Sequence, residues 1–269
     1  MATALSADSV AAALTGSFGA PCKVFDRIGS TNDEALSWAL DGAPEGALVV
    51  TEHQTSGRGR RGRVWFDAPG SSLLFSLVLR PEMRFERLGL LSLALGNACA
   101  DAVESVAGVP AKTKWPNDVV IGDRKIAGIL VETKLIGSDV DVAIAGIGLN
   151  YDWTGGEIPR EIERGATTLV AEASAAGMDV APAREELLAA ILRSLEDLYP
   201  LVRTSTDELL RRAEQRSAVL GGHVTIRFAD GDLLHGRATR LLSDGALEIE
   251  TDEGVRSVHV GEIEQLRPA

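Results

Sequence analysis

The pattern of apolar and polar positions divides the chain in two. Up to residue 218, helical periods alternate with short apolar runs; after Gly221-Gly222, short alternating segments recur between turns. Ser6–Leu14 predicts one short helix with Val10, Ala13 and Leu14 on one side. Cys22–Asp26, Ala47–His53 and Leu73–Arg80 predict strands. Thr31-Asn32-Asp33-Glu34 has capping-box spacing, with Thr31 as the cap and Glu34 reaching back, ahead of a helix carrying Ala35, Leu36, Ala39 and Leu40. Leu88–Val106 is the longest predicted helix; Leu88, Leu91, Leu95, Ala98, Ala102 and Val106 follow a 3.6-residue period, and Cys99 belongs to that core pattern.

Within Lys112-Thr-Lys114-Trp115-Pro116-Asn117-Asp118, Pro116 stops any helix and biases Trp115 toward extended geometry. Val119–Ile121 and Lys125–Ile136 predict a hairpin around Gly122-Asp123. On its second strand Ile129, Val131, Thr133 and Leu135 share one face, and Gly128, Glu132 and Lys134 the other. That alternation fits an antiparallel sheet. Asp139–Leu149 is a further strand, and Gly146 and Gly148 near its end mark a close approach to the backbone. Tyr151–Gly165 reads as a loop. Pro182–Tyr199 and Ser205–Arg216 read as helices, the second opened by a box of Ser205 and Glu208. Beyond them Val224, Ile226 and Phe228 alternate, followed by Leu233-Leu234, Leu247 with Ile249, and Val258 with Val260. Turns at Asp230-Gly231, Ser243-Asp-Gly245 and Asp252-Glu-Gly254 separate these runs. The expected architecture is an α+β domain over residues 1–218 and a small β-barrel over residues 219–269.

Composition narrows the possibilities. Apolar residues make up 45% of the 269, enough for a real core, and the formal net charge is −12. A polyanion is repelled on average, so nucleic acid is disfavoured except at a local basic patch. Cys22 and Cys99 have neither pairing nor metal spacing, which points to a reducing, cytoplasmic compartment. The four histidines show no ligand spacing, so no structural metal is expected. The Ala-rich start lacks a basic segment and carries Asp8, a poor signal peptide. No unbroken run of about 18 apolar residues occurs, so no membrane span is expected.

Against that acidic background, Gly57-Arg58-Gly59-Arg60-Arg61-Gly62-Arg63 concentrates four arginines and three glycines, with Trp65 close behind. Arginine offers a permanent charge and a planar fork of donors. Glycine lets backbone N–H groups approach a ligand. A solvated surface loop, a nucleic-acid arm and an anion-binding loop all fit the segment alone. Its place between two predicted core strands weakens the arm reading. With no apolar anchor inside it, the free loop is expected to be mobile until ligand charge orders it. Ser30-Thr31-Asn32 lies where a strand meets a helix, where backbone donors suit an anion or merely cap.

Five blocks occur in order: Ser30-Thr31-Asn32; Gln54 with Gly57–Arg63; Lys114-Trp-Pro-Asn-Asp118; Arg124-Lys125-Ile-Ala-Gly-Ile-Leu130; and Gly146-Ile-Gly-Leu-Asn150. Together they resemble the biotin protein ligase family, of the ligase-only class. The resemblance implies a class II synthetase-like catalytic domain, with a mixed, mainly antiparallel sheet and helices on one face, plus an SH3-like C-terminal β-barrel. It implies activation of biotin by ATP as biotinyl-5′-adenylate, then transfer to a lysine of a carboxylase's biotin carboxyl carrier domain. Mg²⁺ is implied only as carried with ATP, without protein ligands. By match to the family's motifs, Ser30, Thr31, Gln54, Gly57, Arg58, Arg60, Lys125, Gly128, Gly146 and Gly148 are expected at biotin. Arg60, Arg63, Trp65, Asn117, Lys125 and Asn150 are expected at ATP. Lys125, Arg60, Arg58 and Asp118 are the expected catalytic groups, Asp118 with capping or hairpin duty as its alternative. Arg61 is expected to face solvent. Lipoate ligation on a related fold is the nearest rival, and the Gly/Arg loop favours biotin. A DNA-binding regulator is opposed by the net charge and by the lack of room for a helix-turn-helix around Ser6–Leu14, so specific DNA binding is not expected. A scaffolding module without catalysis is the remaining alternative.

Overall fold

The computed structural model describes residues 4–154, 159, 162, 164–178, 180–259 and 261–267. A seven-stranded sheet forms its centre, built from β1 (Cys22–Phe25), β2 (Leu48–Thr51), β3 (Ser72–Leu79), β4 (Lys112–Lys114), β5 (Asp118–Ile121), β6 (Arg124–Ile136) and β7 (Asp139–Asn150). The strand order is β1-β2-β3-β7-β6-β5-β4. Only β1 and β2 run parallel, because the helix α2 (Thr31–Leu40) carries the chain back between them; every other pair is antiparallel. The sheet is therefore mixed and mainly antiparallel.

Alternation sends the two faces to different partners. Leu48, Val50, Phe75, Leu77, Ala143, Ala145, Ala127 and Ile129 join the main core under α3 (Leu88–Ala107) and α5 (Arg184–Leu198). Val49, Val78, Val142 and Ile144 point the other way and pack on Ala35 and Ala39 of α2. So α2 departs from the expectation of helices on one face. The linkage explains it: β1 and β2 are both fully extended neighbours, and the crossover helix of a βαβ unit must cover whichever face its hand dictates. The stretch 85–107 is long and apolar enough to cross a bilayer, yet 72% of its most apolar window is buried inside the protein. Here apolarity on every side serves a core helix.

Among the described residues four shorter helices complete the fold: α1 (Ala7–Ala13) before the sheet, and α4 (Leu169–Ala175), α6 (Leu201–Thr204) and α7 (Thr206–Gln215) around α5 after it, with single 3-10 turns at Arg60–Gly62 and Phe85–Arg87. Helix α4 and the short strand β4 have too few periodic positions to be legible in sequence. Both capping boxes fail as drawn. Ser30, not Thr31, is the N-cap of α2, with no side-chain cap bond, and Glu34 instead pairs with Lys23. Ser205 is an N-cap without a side-chain bond, while Glu208 pairs with Arg211 and Arg212. In each case a cation within reach outcompetes the cap's backbone N–H for the glutamate. Of the predicted 151–165 loop, residues 155–158, 160, 161 and 163 lie outside the described residues, as does Val260.

The C-terminal strands β8 (His223–Arg227), β9 (Leu233–Leu241), β10 (Leu247–Thr251), β11 (Gly254–Val258) and β12 (Glu262–Arg267) form an antiparallel sheet in the order β11-β10-β9-β8-β12. This small five-stranded antiparallel sheet is consistent with the expected SH3-like domain. Its Val224, Ile226, Ala238, Leu247, Ile249 and Ile263 belong to the same core as α3. Trp115 Nε1 donates to Gly245 O at 3.1 Å. Gly89 and Gly245 meet backbone to backbone; a Cβ at Gly245 would lie 2.6 Å from the Gly89 carbonyl carbon.

Candidate active site

The cleft lies on the α2 face of the sheet, between the Gly/Arg loop and the strands β6 and β7. Its floor is made by absence of side chains. Gly128 and Gly148 are direct cross-strand partners, and Gly146 sits between Leu130 and Ser76. Side chains descend into the space thus left. The Trp65 indole lies over Gly148 and Gly128, where an added Cβ would stand 2.5 and 2.9 Å from its ring. Asn32 lies over Gly146, with Oδ1 2.2 Å from the corresponding position.

One wall is the junction of β1 and α2. Gln54 Oε1 accepts from the Thr31 backbone N–H at 2.9 Å and from Thr31 Oγ1 at 3.1 Å. Ser76 Oγ lies 2.7 Å from Thr31 Oγ1 and 2.6 Å from Asn32 Oδ1, and Asn32 Nδ2 donates to Glu132 at 2.6 Å. Ser30, Thr31 and Asn32 are buried. Thr31 and Asn32 thus belong to a shared polar network, while Ser30 stands at the N-cap of α2.

The loop itself has a defined shape. Gly59 N donates to Arg63 O at 2.7 Å and Trp65 N to Gly57 O at 2.9 Å, so the segment is a small hairpin. Arg61 takes φ of 56° at its tip, a left-handed value that a non-glycine residue adopts rarely. The loop's arginines diverge. Arg58 makes a two-pronged pair with Asp33 at 2.7 and 2.6 Å and reaches Glu132 at 3.2 Å. That pairing holds the Asp33 carboxyl below the usual range and raises the Arg58 guanidinium. Arg60 Nη1 donates to Asn117 Oδ1 at 3.0 Å. Arg61 is exposed, as expected, and also donates to the backbone carbonyl of Arg227 in β8 at 3.2 Å, so that it touches the C-terminal sheet.

Lys125 enters from the opposite wall. Strict alternation would put it on the core face with Ala127 and Ile129. The register between β5 and β6 slips, Val120 facing Lys125 and Val119 facing Ala127, so Ile126 is an extra residue. This bulge turns Lys125 into the cleft. There its Nζ lies 2.6 Å from Asp118 and 5.5 Å from the Trp65 ring centroid.

The cleft encloses about 1030 Å³ including its open mouth, and its lining takes in Ser30, Thr31, Gln54, Arg58, Arg60, Arg63, Trp65, Asn117, Asp118, Lys125, Gly128, Gly146 and Gly148. All but two of the residues singled out from sequence therefore converge. Gly57 lies behind the lining, against the Trp65 carbonyl and Gln54 Nε2. Asn150 is buried and donates to Lys125 O at 3.3 Å, which supports the lysine from below. Trp65 stands against Gly128, Gly148 and Lys125, the group expected at biotin. Sequence reasoning missed Asn32, Asp33, Glu132 and Ser76, and the C-terminal Gly261 and Ile263 on the cleft's rim. Asn32 was legible as part of its motif; the others depend on strand register. Among the described residues no group of three metal-ligating side chains forms.

A glycine floor flanked by arginine, lysine and amide groups defines a site for a flat, polar ligand with anionic parts. Comparison with known proteins agrees with this class. The sequence profile of the Biotin/lipoate A/B protein ligase family matches residues 24–150. The chain is 33% identical over 239 residues to the bifunctional ligase/repressor BirA of Bacillus spizizenii, spanning 89% of this chain and 72% of that protein. It is 32% identical over 249 residues to the biotin–[acetyl-CoA-carboxylase] ligase of Mycobacterium tuberculosis, spanning 91% and 88%. Its fold is similar to that of the Aquifex aeolicus biotin protein ligase solved with biotin and ATP, with a TM-score of 0.77, 30% identity and coverage of 92% and 99%. The chain belongs to the biotin protein ligase family.

Proposed function

We propose that this cleft activates biotin with MgATP and passes the biotinyl group to a lysine of a carboxylase's biotin carboxyl carrier domain. The observation that carries the reading is the convergence of Arg58, Arg60 and Lys125, from two distant segments of an acidic chain, beside the Gly128 and Gly148 floor. Biotin carboxylate and ATP repel each other, and charge builds on the α-phosphate as the carboxylate oxygen attacks and pyrophosphate leaves. Positioned cations stabilise that charge. Lys125 faces the reacting oxygens, and Arg58 and Arg60 cover the mixed anhydride from the loop. In the second step the acceptor amine attacks the carbonyl carbon, AMP leaves, and the amine's proton is lost. Asp118, hydrogen-bonded to Lys125, is placed to orient the lysine or receive that proton.

Ser30, Thr31, Gln54 and Gly57 serve the ureido end of biotin, with Gly128, Gly146 and Gly148 as its backbone walls. Arg60, Arg63 and Asn117 take the nucleotide, Trp65 separates the two ligands, and Asn150 holds Lys125. Residues 1–218 carry this chemistry, and residues 219–269 close its rim through Gly261 and Ile263. Both cysteines are free, which suits the cytoplasm. Pyrophosphate release on mixing the protein with biotin and MgATP tests the reading, and lipoate in place of biotin tests its rival. Release with lipoate alone, or with neither, sinks it.

A further inference from the structure

The loop 55–66 begins and ends at one buried junction. Asp67, two residues after Trp65, has a side chain only 1% exposed. Its Oδ2 accepts from His53 Nδ1 at 2.9 Å and from the Gln54 backbone N–H at 3.3 Å. Its Oδ1 is buried without a hydrogen-bond partner among the described residues. A carboxylate in such a place is expensive. A hydroxyl could hold the Gln54 N–H at lower cost; what the carboxylate adds is a charged acceptor that binds residue 53 as well. Burial raises the Asp67 carboxyl, and the His53 and Gln54 bonds oppose that rise. His53 is fixed in turn: its N–H meets Thr51 Oγ1 at 3.3 Å, and its carbonyl accepts from Ile28 N at 3.1 Å.

The junction leads to the ligand wall at both ends. Gln54, gripped through its backbone, presents Oε1 to Thr31. Trp65, two residues before Asp67, lies on Gly148 and Gly128. We infer that His53 and Asp67 are positioning residues for substrate binding, a clasp that closes the two ends of the loop and thereby sets Gln54 and Trp65 against the biotin side of the cleft. This inference rests on the biotin ligase reading for the identity of the ligand, but the clasp itself is testable without ligand.

Two measurements on intact protein decide it: amide hydrogen exchange at Gly59, Arg63 and Trp65 in the absence of substrate, and the KM for biotin against kcat for pyrophosphate release. A lost hydrogen bond to a charged group corresponds to about ten- to a hundredfold. Asp67→Ala and His53→Leu should raise exchange of the loop amides and the biotin KM by about tenfold or more, with kcat within about threefold. His53→Asn places a donor near the Nδ1 position and should stay close to the wild type. Unchanged loop exchange in folded variants overturns the clasp. A fall in kcat with unchanged KM, or His53→Asn behaving like His53→Leu, overturns the positioning role. If Asp67→Ala does not fold, His53→Leu alone decides. If the wild type releases no pyrophosphate, the ligase reading fails, and loop exchange still tests the clasp.

Discussion

Two arginine–carboxylate forks in this molecule have nearly the same geometry and opposite uses. Arg184 on α5 meets Glu52 at 2.9 and 2.8 Å, adds a bond to Ser72 O, and is buried with it, the side chains 1% and 11% exposed. Glu52 also takes the Leu5 backbone N–H, so the pair ties α5, the sheet and the N-terminal segment together. Arg58 meets Asp33 at 2.7 and 2.6 Å at the cleft's edge, with side chains 36% and 61% exposed. Water has little access to the first pair, so neither partner can be exchanged without leaving a bare charge in the core. The second pair is half solvated, and an anionic ligand can compete for its guanidinium at small cost. Burial, rather than fork geometry, separates a structural arginine from one available to substrate.

The largest expected effect breaks the first pair. Arg184→Ala leaves Glu52 buried and uncompensated and should lower stability by about 3–5 kcal/mol. Chemical denaturation checks it; a loss of under about 1 kcal/mol would mean that water already reaches Glu52. Next is the cleft. Lys125→Ala should leave the denaturation midpoint near the wild type and cut pyrophosphate release by about a hundredfold, since the proposed chemistry loses one charge at the reacting oxygens. Near-normal release from a folded variant would remove Lys125 from the chemistry.

Arg58→Ala places the comparison in a single residue. Its stability change should be under about 1 kcal/mol, as for an exposed pair, while adenylate formation falls by about tenfold or more. A stability loss as large as that of Arg184→Ala would show that the two forks do not differ. Arg60→Gly removes a donor from the Gly/Arg loop without touching either fork. Adenylate should still form but escape, seen as biotin on bystander proteins that the wild type leaves unlabelled; no extra labelling with intact ATP turnover denies Arg60 the retaining role. The smallest effect is with pH. The Asp33 carboxyl is depressed in the folded protein, so its pairing with Arg58 is fully present above the ordinary carboxylate value of about 3.9 and is lost as pH falls through the lower, folded value. Loop amide protection, taken relative to intrinsic exchange at each pH, should therefore fall as pH drops below about 3.9 in the wild type, and Asp33→Asn should show the lower protection already at neutral pH. A flat profile in both would mean that the pair does not hold the loop.

Much of this molecule is written in local pattern. The 3.6-residue period of Leu88–Val106 identifies the core helix because an apolar stripe has one burial solution. Alternation in β6 separates Gly128 and Glu132 from Ile129 and Val131, and the structure puts those two sets on opposite faces. The Gly/Arg loop, the Ser-Thr-Asn turn and the paired glycines are legible as motifs because chemistry at a site demands particular residue types at fixed spacing.

What the tertiary structure alone decided depends on register, burial and reach. Alternation assigns Lys125 to the core face; a one-residue bulge at Ile126, set by pairing with β5, turns it into the cleft. Composition cannot distinguish Arg58 from Arg184, since the difference is how much water each carboxylate partner keeps. Glu34 satisfies the capping pattern, yet Lys23 on β1 takes it, because a nearby cation binds a carboxylate more strongly than a backbone amide does. Local sequence sets what each segment can do; long-range pairing determines which neighbour it meets, and the low dielectric of the interior determines what that meeting is worth.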